Sequence, residues 1–275
     1  ISYTNDNSTF KTASVIGLKG FKSVLASSFC FIPIFIGFIL PIIELSLWAL
    51  ETNVDIFNNK FLVGSFNTIT LGLFTGLICA LLAIVINFSI RFTKNKFLER
   101  LNSLMSIGYA IPGLILAVGI TRFLVFSDQN VFTNINFVIT GSLVGLFLAY
   151  IIKSYALANS SIESGYERIS NSIDNSAQLL GSSGGKLLGR IHFPLMRTSF
   201  LTAVLLVTSE VVKELPATLI LRPFNFDTLA VITYTYAAEE RMYQAALPSL
   251  AIVIIGIIPI IFLTKMIRSS RIKDS

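Results

Sequence analysis

Charge is scarce in this sequence. Asp, Glu, Lys and Arg make up 13% of its 275 residues, whereas a soluble domain carries roughly 25%. Charged residues are scarcest in six stretches that are apolar on every side. The helices of a large soluble protein would keep a polar face, so these stretches disfavour that class of protein. These stretches are Val24–Leu50, Phe61–Ile90, Leu101–Phe126, Phe137–Ile152, Leu195–Leu221 and Ala245–Phe262.

The length of these stretches predicts an all-α membrane protein with about six transmembrane helices. A helix needs about 20 apolar residues to cross a hydrocarbon core of about 30 Å. Five stretches reach that length. The fourth reaches it when Lys153, Ser154 and Tyr155 are counted at its end, with the lysine snorkelling toward the membrane surface.

Side chains that support metal or redox chemistry are also rare. The single histidine, His192, has no Cys, Asp or Glu beside it in the sequence, and one histidine does not make a metal site. Cys30 and Cys79 each lie inside an apolar stretch, which is typical of packing residues and not of a disulfide framework. We therefore predict no catalytic residue and no metal site, and a membrane enzyme is disfavoured.

The basic residues indicate the orientation of the helices. With six spans, 16 of the 21 Lys and Arg residues fall on one side, and short cytoplasmic loops carry such an excess. We expect both ends of this segment to lie in the cytoplasm, in a cytoplasmic (inner) membrane. The net charge of +6 then reports topology, and no folded basic face indicates nucleic-acid binding. The 16 residues are Lys11, Lys19, Lys22, Arg91, Lys94, Lys96, Arg100, Lys153, Arg168, Lys186, Arg190, Arg197, Lys265, Arg268, Arg271 and Lys273.

The chain divides into three predicted parts. Residues 1–20 form a cytoplasmic N-terminal linker, residues 21–268 the six-helix domain, and residues 269–275 a cytoplasmic tail. The first residue is Ile1, and the polar Ser2–Lys11 segment is typical of a linker. We expect the chain to be part of something longer, or a processed fragment.

A charged cluster interrupts the fifth apolar stretch. Glu210, Lys213 and Glu214 precede Pro216, and their spacing places all three charges on one face of a helix. A bare charge at the bilayer centre costs about 2.5–3.5 kcal/mol. Lys213 can offset one glutamate and leaves the other without a partner. Two interpretations stay open: an interfacial cluster at the outer helix end, or a polar wall of a translocation path.

Two connecting segments are long enough to carry function. The cytoplasmic one, residues 156–197, contains a short helix that is predicted to end at Gly181, because glycine readily adopts the left-handed conformation that closes a helix. It is either an ordinary connection or a docking element for a partner. The outer one, residues 222–244, carries several Tyr, Asp and Glu side chains.

The spacing within the cytoplasmic segment resembles the coupling loop of ABC importer permeases. That loop has the form Glu-Ala-Ala, three residues, Gly, nine residues, Ile-x-Leu-Pro. Ala177, Gly181, Ile191 and Pro194 match it in register, whereas Asn175, Ser176 and Phe193 depart from it. The resemblance implies that these seven residues contact ABC ATPase subunits, which use ATP. The chain itself has no Gly-x-x-x-x-Gly-Lys-Ser/Thr phosphate loop. It binds no cofactor and is not an enzyme on this interpretation.

A second resemblance covers nearly the whole chain. Residues 213–223, 227–230 and 234–240 are similar to the ferric iron branch of these permeases, in which two six-helix halves are commonly fused, and the chain resembles the second half. It implies a membrane-embedded translocation path for ferric iron. On the second interpretation of the charged cluster, Glu210, Lys213, Glu214 and Pro216 line that path.

The same resemblance implies two further partners. One is another permease half, which is fused to this chain, is a separate chain or is an identical copy of this one. The other is a periplasmic or extracellular solute-binding protein that docks on Arg222, Asp227, Tyr234, Tyr236, Glu239 and Glu240. Thiamine, phosphate, sulfate and a polyamine stay open as alternative cargoes. An ion-gradient-driven carrier stays open as an alternative class of transporter.

Overall fold

The computed structural model describes residues 17–51, 58–131 and 138–273, and these residues contain helices and turns but no strand. The chain divides into two compact units, residues 1–44 and 45–275. Most of the predicted linker and part of the tail, together with six residues of each of the first two outer loops, lie outside the described residues.

The N-terminal helix runs from Phe21 to Glu51 through a local irregularity. Helix α1, Phe21–Ile34, contains Pro33 and is followed by a π-helical turn, Phe35–Ile39, and by α2, Leu40–Glu51. A proline inside a helix removes one backbone donor and pushes against the preceding turn, so a shift in the hydrogen-bond pattern at this point is expected.

The remaining helices include long membrane-spanning ones and short connecting ones. The long helices are α3, Asn59–Thr93; α6, Leu143–Glu167; α9, Phe193–Val212; and α12, Met242–Lys273. The others are α4, Lys96–Ile107; α5, Gly113–Asn130; α7, Asn171–Leu179; α8, Gly184–Leu187; α10, Pro216–Leu221; and α11, Leu229–Ala238. A 3-10 turn, Gly108–Ala110, follows α4, and a π-helical turn, Leu188–His192, joins α8 to α9.

The number of membrane-spanning helices agrees with the sequence prediction. Within the described residues, five helices are long and apolar enough to cross a membrane, and α4 with α5 provides a sixth if that bent pair is one span. The third predicted stretch is therefore not one straight helix. Its two parts bend by 117° at Ile111–Pro112, where the proline lacks the donor needed to continue a helix.

Two boundaries differ from the sequence prediction. Helix α6 continues to Glu167, so Lys153 lies inside the helix and the prediction that it snorkels at a helix end was wrong. For the same reason the cytoplasmic connection begins at Arg168 and not at Ala156. The outer segment also contains α11, so it is not a simple loop.

Close packing of α3, α6 and α9 forms the core of the second unit. A side-chain carbon added to Gly76 would lie 2.6 Å from the Val204 carbonyl oxygen, so the backbones of α3 and α9 approach closely there. The Thr208 hydroxyl also lies 3.2 Å from the Gly72 carbonyl oxygen. Small residues and interhelical hydrogen bonds are typical of helices that associate in a membrane, where the hydrophobic effect does not drive helix association.

Candidate functional site

Helix α7 is a short helix with a well-defined end. Gly181 has a φ of 80°, the left-handed conformation predicted for it from the sequence. The Ser182 amide donates to the Ala177 carbonyl at 2.9 Å, and the Gly181 amide donates to the Gln178 carbonyl at 2.9 Å. This pair of hydrogen bonds is a Schellman motif, in which the left-handed residue lets the last carbonyls of the helix be satisfied.

The seven residues aligned with the coupling loop lie at both ends of the connection between α7 and α9. Asn175 and Ser176 are exposed on α7, and Ala177 is buried beneath them. Ile191 is half-buried in the π-helical turn, while Phe193 and Pro194 form the first turn of α9. Leu179 and Leu180 are 89% and 86% exposed at the tip of α7. Sequence reasoning missed this apolar pair, although it directly precedes Gly181.

The charged cluster of the fifth apolar stretch separates into two ion pairs. Glu210 lies 2.9 Å from Lys213, and Lys213 is 62% exposed. Glu214 pairs with Lys153 of α6, and its side chain is 7% exposed. Helix α9 ends at Val212, so Glu214 is not on α9, and the prediction that all three charges share one helix face was wrong. The prediction that one glutamate has no partner was also wrong, because Lys153 pairs with it.

Three elements meet at the Glu214 carboxylate. It accepts a hydrogen bond from the Ala217 amide at 3.2 Å and so satisfies a free donor in the first turn of α10. A side-chain carbon added to Gly113 would lie 2.7 Å from its Oε1 atom, so only glycine fits at this point of α5 without displacing the carboxylate. Nearby, the Tyr150 and Thr218 hydroxyls lie 2.6 Å apart. The break in the fifth stretch is therefore filled by a hydrogen-bonded polar cluster.

The outer segment is attached to α3. Arg222 forms an ion pair with Asp227. The Asp227 carbonyl accepts a hydrogen bond from the Asn67 side chain at 2.9 Å, and the Leu229 amide donates to the Thr68 hydroxyl at 2.8 Å. Beside the ion pair lies a cavity of about 440 Å³. Its lining residues are Lys60, Leu219, Arg222, Pro223, Phe224, Asn225, Asp227 and Thr235.

The other residues predicted for docking lie on α11 and in the turn that follows it. Two cations lie near the Tyr236 ring, with Lys60 at 5.4 Å and Arg241 at 4.8 Å from its centre. Glu239 pairs with Arg241 at 3.0 Å, while Tyr234 and Glu240 are exposed. Among the described residues, no group of three or more His, Cys, Asp or Glu side chains is arranged to hold a metal ion.

Comparison with known proteins gives one curated relative. No family model matches the sequence. The chain is 26% identical over 238 residues to the Fe(3+)-transport system permease protein FbpB 2 of Haemophilus influenzae. The alignment covers 82% of this chain and 44% of that protein, so the chain spans less than half of its relative's length.

Solved structures of transporters share the architecture. A chain of a bacterial alginate ABC transporter, in complex with an alginate pentasaccharide-bound periplasmic protein, gives a TM-score of 0.67 at 17% identity. The match covers 90% of this chain and 94% of that one. A chain of the inward-facing MetNI methionine ABC transporter gives a TM-score of 0.55 at 14% identity, over 74% and 94% of the two chains.

The chain has the fold of an ABC importer permease subunit.

This result confirms the predicted fold class and the predicted resemblance to these permeases. The apolar helices and the similarity to permeases identify the chain as a multi-pass membrane protein. The contact of Lys153 with Glu214 was missed, because it joins residues 61 positions apart in sequence. The sequence does contain one indication that Lys153 lies inside a helix. The fourth apolar stretch is too short to cross a membrane unless its helix continues past the lysine.

Proposed function

We propose that the chain is the membrane-spanning permease subunit of an ATP-driven importer, and that its cargo is ferric iron delivered by a binding protein. The observation that carries the proposal is the similarity to a Fe(3+)-transport permease over 82% of the chain. ATP is used by separate ABC ATPase subunits, so the chain itself is not an enzyme.

The cytoplasmic contact with the ATPase is made by α7. Its exposed residues Asn175, Ser176, Leu179 and Leu180 are available to enter a cleft on the ATPase surface. The Schellman motif at Gly181 supports this role, because it turns the chain sharply after the apolar tip, and the tip stays exposed. Closure of the ATPase dimer would then displace α7 and the helices attached to it.

The translocation path runs beside the junction of α9 and α10. Glu210, Lys213, Glu214 and Pro216 are the residues proposed for it, and Lys153 joins them as the partner of Glu214. Both ion pairs contain one positive and one negative charge, so the junction keeps polar groups inside the membrane without a net charge. The second permease half, whether fused, separate or identical, would complete the path.

The outer segment receives the binding protein. Mixed charges and aromatic rings surround α11, a composition suited to a protein interface. The residues are Arg222, Asp227, Tyr234, Tyr236, Glu239 and Glu240.

Ferric iron is a hard cation that prefers carboxylate and phenolate oxygen. A transport path must release its ion, so transient contacts with such groups suffice. The excess of basic residues on the other side supports cytoplasmic ends for this segment, in the cytoplasmic membrane.

Uptake of ⁵⁵Fe(III) tests this proposal in cells that lack their own iron importers. The chain would be expressed with the permease half, ATPase and binding protein of its own operon, once with an active ATPase and once with a hydrolysis-deficient one. We expect uptake only with the active ATPase. Equal uptake with both would indicate an ion-gradient-driven carrier. Binding-protein-stimulated ATP hydrolysis without iron uptake would favour thiamine, phosphate, sulfate or a polyamine.

A further inference from the structure

Arg91 fastens α7 to the inner end of α3. Its Nε atom lies 2.7 Å from Oδ2 of Asp174, on α7. Its two terminal nitrogens donate to the carbonyls of Tyr166 and Ile169, at 3.0 and 2.7 Å, where α6 gives way to α7. The guanidinium is planar and carries five donors in a fixed arrangement. It therefore fixes the position of α7 and of the turn before it at the same time.

The same carboxylate also attaches α7 to the segment that leads into α9. Oδ1 of Asp174 lies 2.9 Å from Nε2 of His192, whose side chain is completely buried. The imidazole ring is enclosed by Phe88 and Phe92 of α3 and by Tyr166 of α6, with ring centres 5.5 to 5.9 Å away. Asp174 thus connects α7 with α3 and with the π-helical turn that leads into α9.

The outer part of α3 contacts the outer segment. Asn67 and Thr68 make the two hydrogen bonds to Asp227 and Leu229 described above. From Thr68 to Arg91 the helix extends about 35 Å, at about 1.5 Å per residue, which matches the thickness of a membrane. No proline interrupts Asn59–Thr93, so the helix lacks the commonest cause of a kink.

We infer that α3 is the element that links the outer segment mechanically to α7, with Arg91 in its last turn and Thr68 in its outer part as positioning residues. The inference rests on the proposed function, because it assigns the outer segment to the binding protein and α7 to the ATPase. A displacement of the outer segment by the docked binding protein is passed along α3 to Arg91, and from there to Asp174 and α7. The close contacts of α3 with α9 at Gly72 and Gly76 carry the same displacement to the helix whose C-terminal end carries the Glu210–Lys213 pair.

The test uses the whole complex in proteoliposomes, with ATP hydrolysis measured with and without the Fe³⁺-loaded binding protein. The variants are Arg91→Gln at the inner end and Thr68→Val at the outer end. We expect each to assemble and to keep its basal hydrolysis, while stimulation by the binding protein falls about fivefold or more. The double variant should be no worse than the more severe single variant, since both act on one linkage.

Two control variants match these substitutions. Arg100→Gln removes an exposed arginine on α4 that has no partner in the described part of the chain, and Thr70→Val changes an exposed threonine two residues from Thr68. Both should keep the stimulation seen in the wild-type complex. A residue that only stabilises the fold would lower the yield of complex, but would leave the ratio of stimulated to basal hydrolysis unchanged.

The possible outcomes separate the inference from the proposed function. If the binding protein stimulates ATP hydrolysis by the wild-type complex and stimulates both variants as strongly as the wild type, the inference is wrong and the proposed function stands. If the wild-type chain binds no ATPase, the proposed function is wrong and the inference falls with it. Should Arg91→Gln fail to assemble, Arg91→Lys decides, because it keeps the charge facing Asp174 but cannot reach both carbonyls. Reduced stimulation in that variant supports the inference, and full stimulation overturns it.

Discussion

Lys153 and Glu214 are two opposite charges that stabilise each other inside the membrane. Their side chains are 18% and 7% exposed, so neither is well solvated. The cost of taking both charges out of water is offset only while they stay paired, and removing one leaves the other uncompensated. The pairing thus explains how a glutamate is tolerated at the break between α9 and α10.

Replacing Lys153 by methionine should destabilise the protein by about 3–5 kcal/mol, because Glu214 is then buried without a counter-charge. The free energy of unfolding would be measured by circular dichroism during denaturation in detergent micelles. Lys153→Met/Glu214→Gln should recover much of the loss. The control is Lys213→Met, which removes the exposed partner of Glu210 and should cost less than about 1 kcal/mol. Equal losses for both lysines would contradict a special role for the buried pair.

Glu210 differs from Glu214 because its partner Lys213 is mainly exposed. If this pair lines the path, Glu210→Gln should lower ⁵⁵Fe(III) uptake about tenfold, the effect of about 1.4 kcal/mol on a rate, while the ATPase still copurifies with the chain. Glu163→Gln, an exposed glutamate near the end of α6, is the matched control and should leave uptake unchanged. Unchanged uptake in Glu210→Gln would instead favour an interfacial charge cluster.

Helix α7 depends on how its end is closed. Proline cannot adopt the φ of 80° found at Gly181, and it lacks the amide that donates to Gln178. We expect Gly181→Pro to abolish the coupling of ATP hydrolysis to uptake, while the helix content measured by circular dichroism stays constant. Gly185→Pro is the control, because the first turn of a helix tolerates proline. Normal uptake in Gly181→Pro would exclude α7 as the coupling element.

The elements differ in how well the sequence predicts them. The end of α7 at Gly181 was predictable, because glycine at a helix terminus reports a local backbone requirement. The extension of α6 to Glu167 was not, since polar residues after an apolar stretch look the same on a solvated helix and in a loop. Pro112 is visible in the sequence, but the 117° angle between α4 and α5 depends on how each packs against other helices. The contact between Arg91 and Asp174 joins residues 83 positions apart, which no local pattern indicates.

At the scale of the whole molecule, the fold and the basic residues together predict an orientation. Lys186 precedes α9 and Phe224 follows α10, so these two exposed positions should lie on opposite sides of the membrane. The basic residues around Lys186 assign its side to the cytoplasm, because short cytoplasmic loops retain Lys and Arg. Phe224, which is 94% exposed, then lies outside with the segment proposed to receive the binding protein.

Single cysteines test this orientation in a chain whose two natural cysteines, Cys30 and Cys79, are replaced by alanine. A membrane-impermeant maleimide added to intact spheroplasts should label Phe224→Cys at once. Lys186→Cys should react only after the membrane is permeabilised, because its loop lies behind the bilayer. The reverse pattern would invert the topology and would move α7 to the outer side, where no ATP-hydrolysing partner could reach it. The labelling pattern therefore tests the side of the membrane on which the proposed coupling helix must lie, independently of cargo.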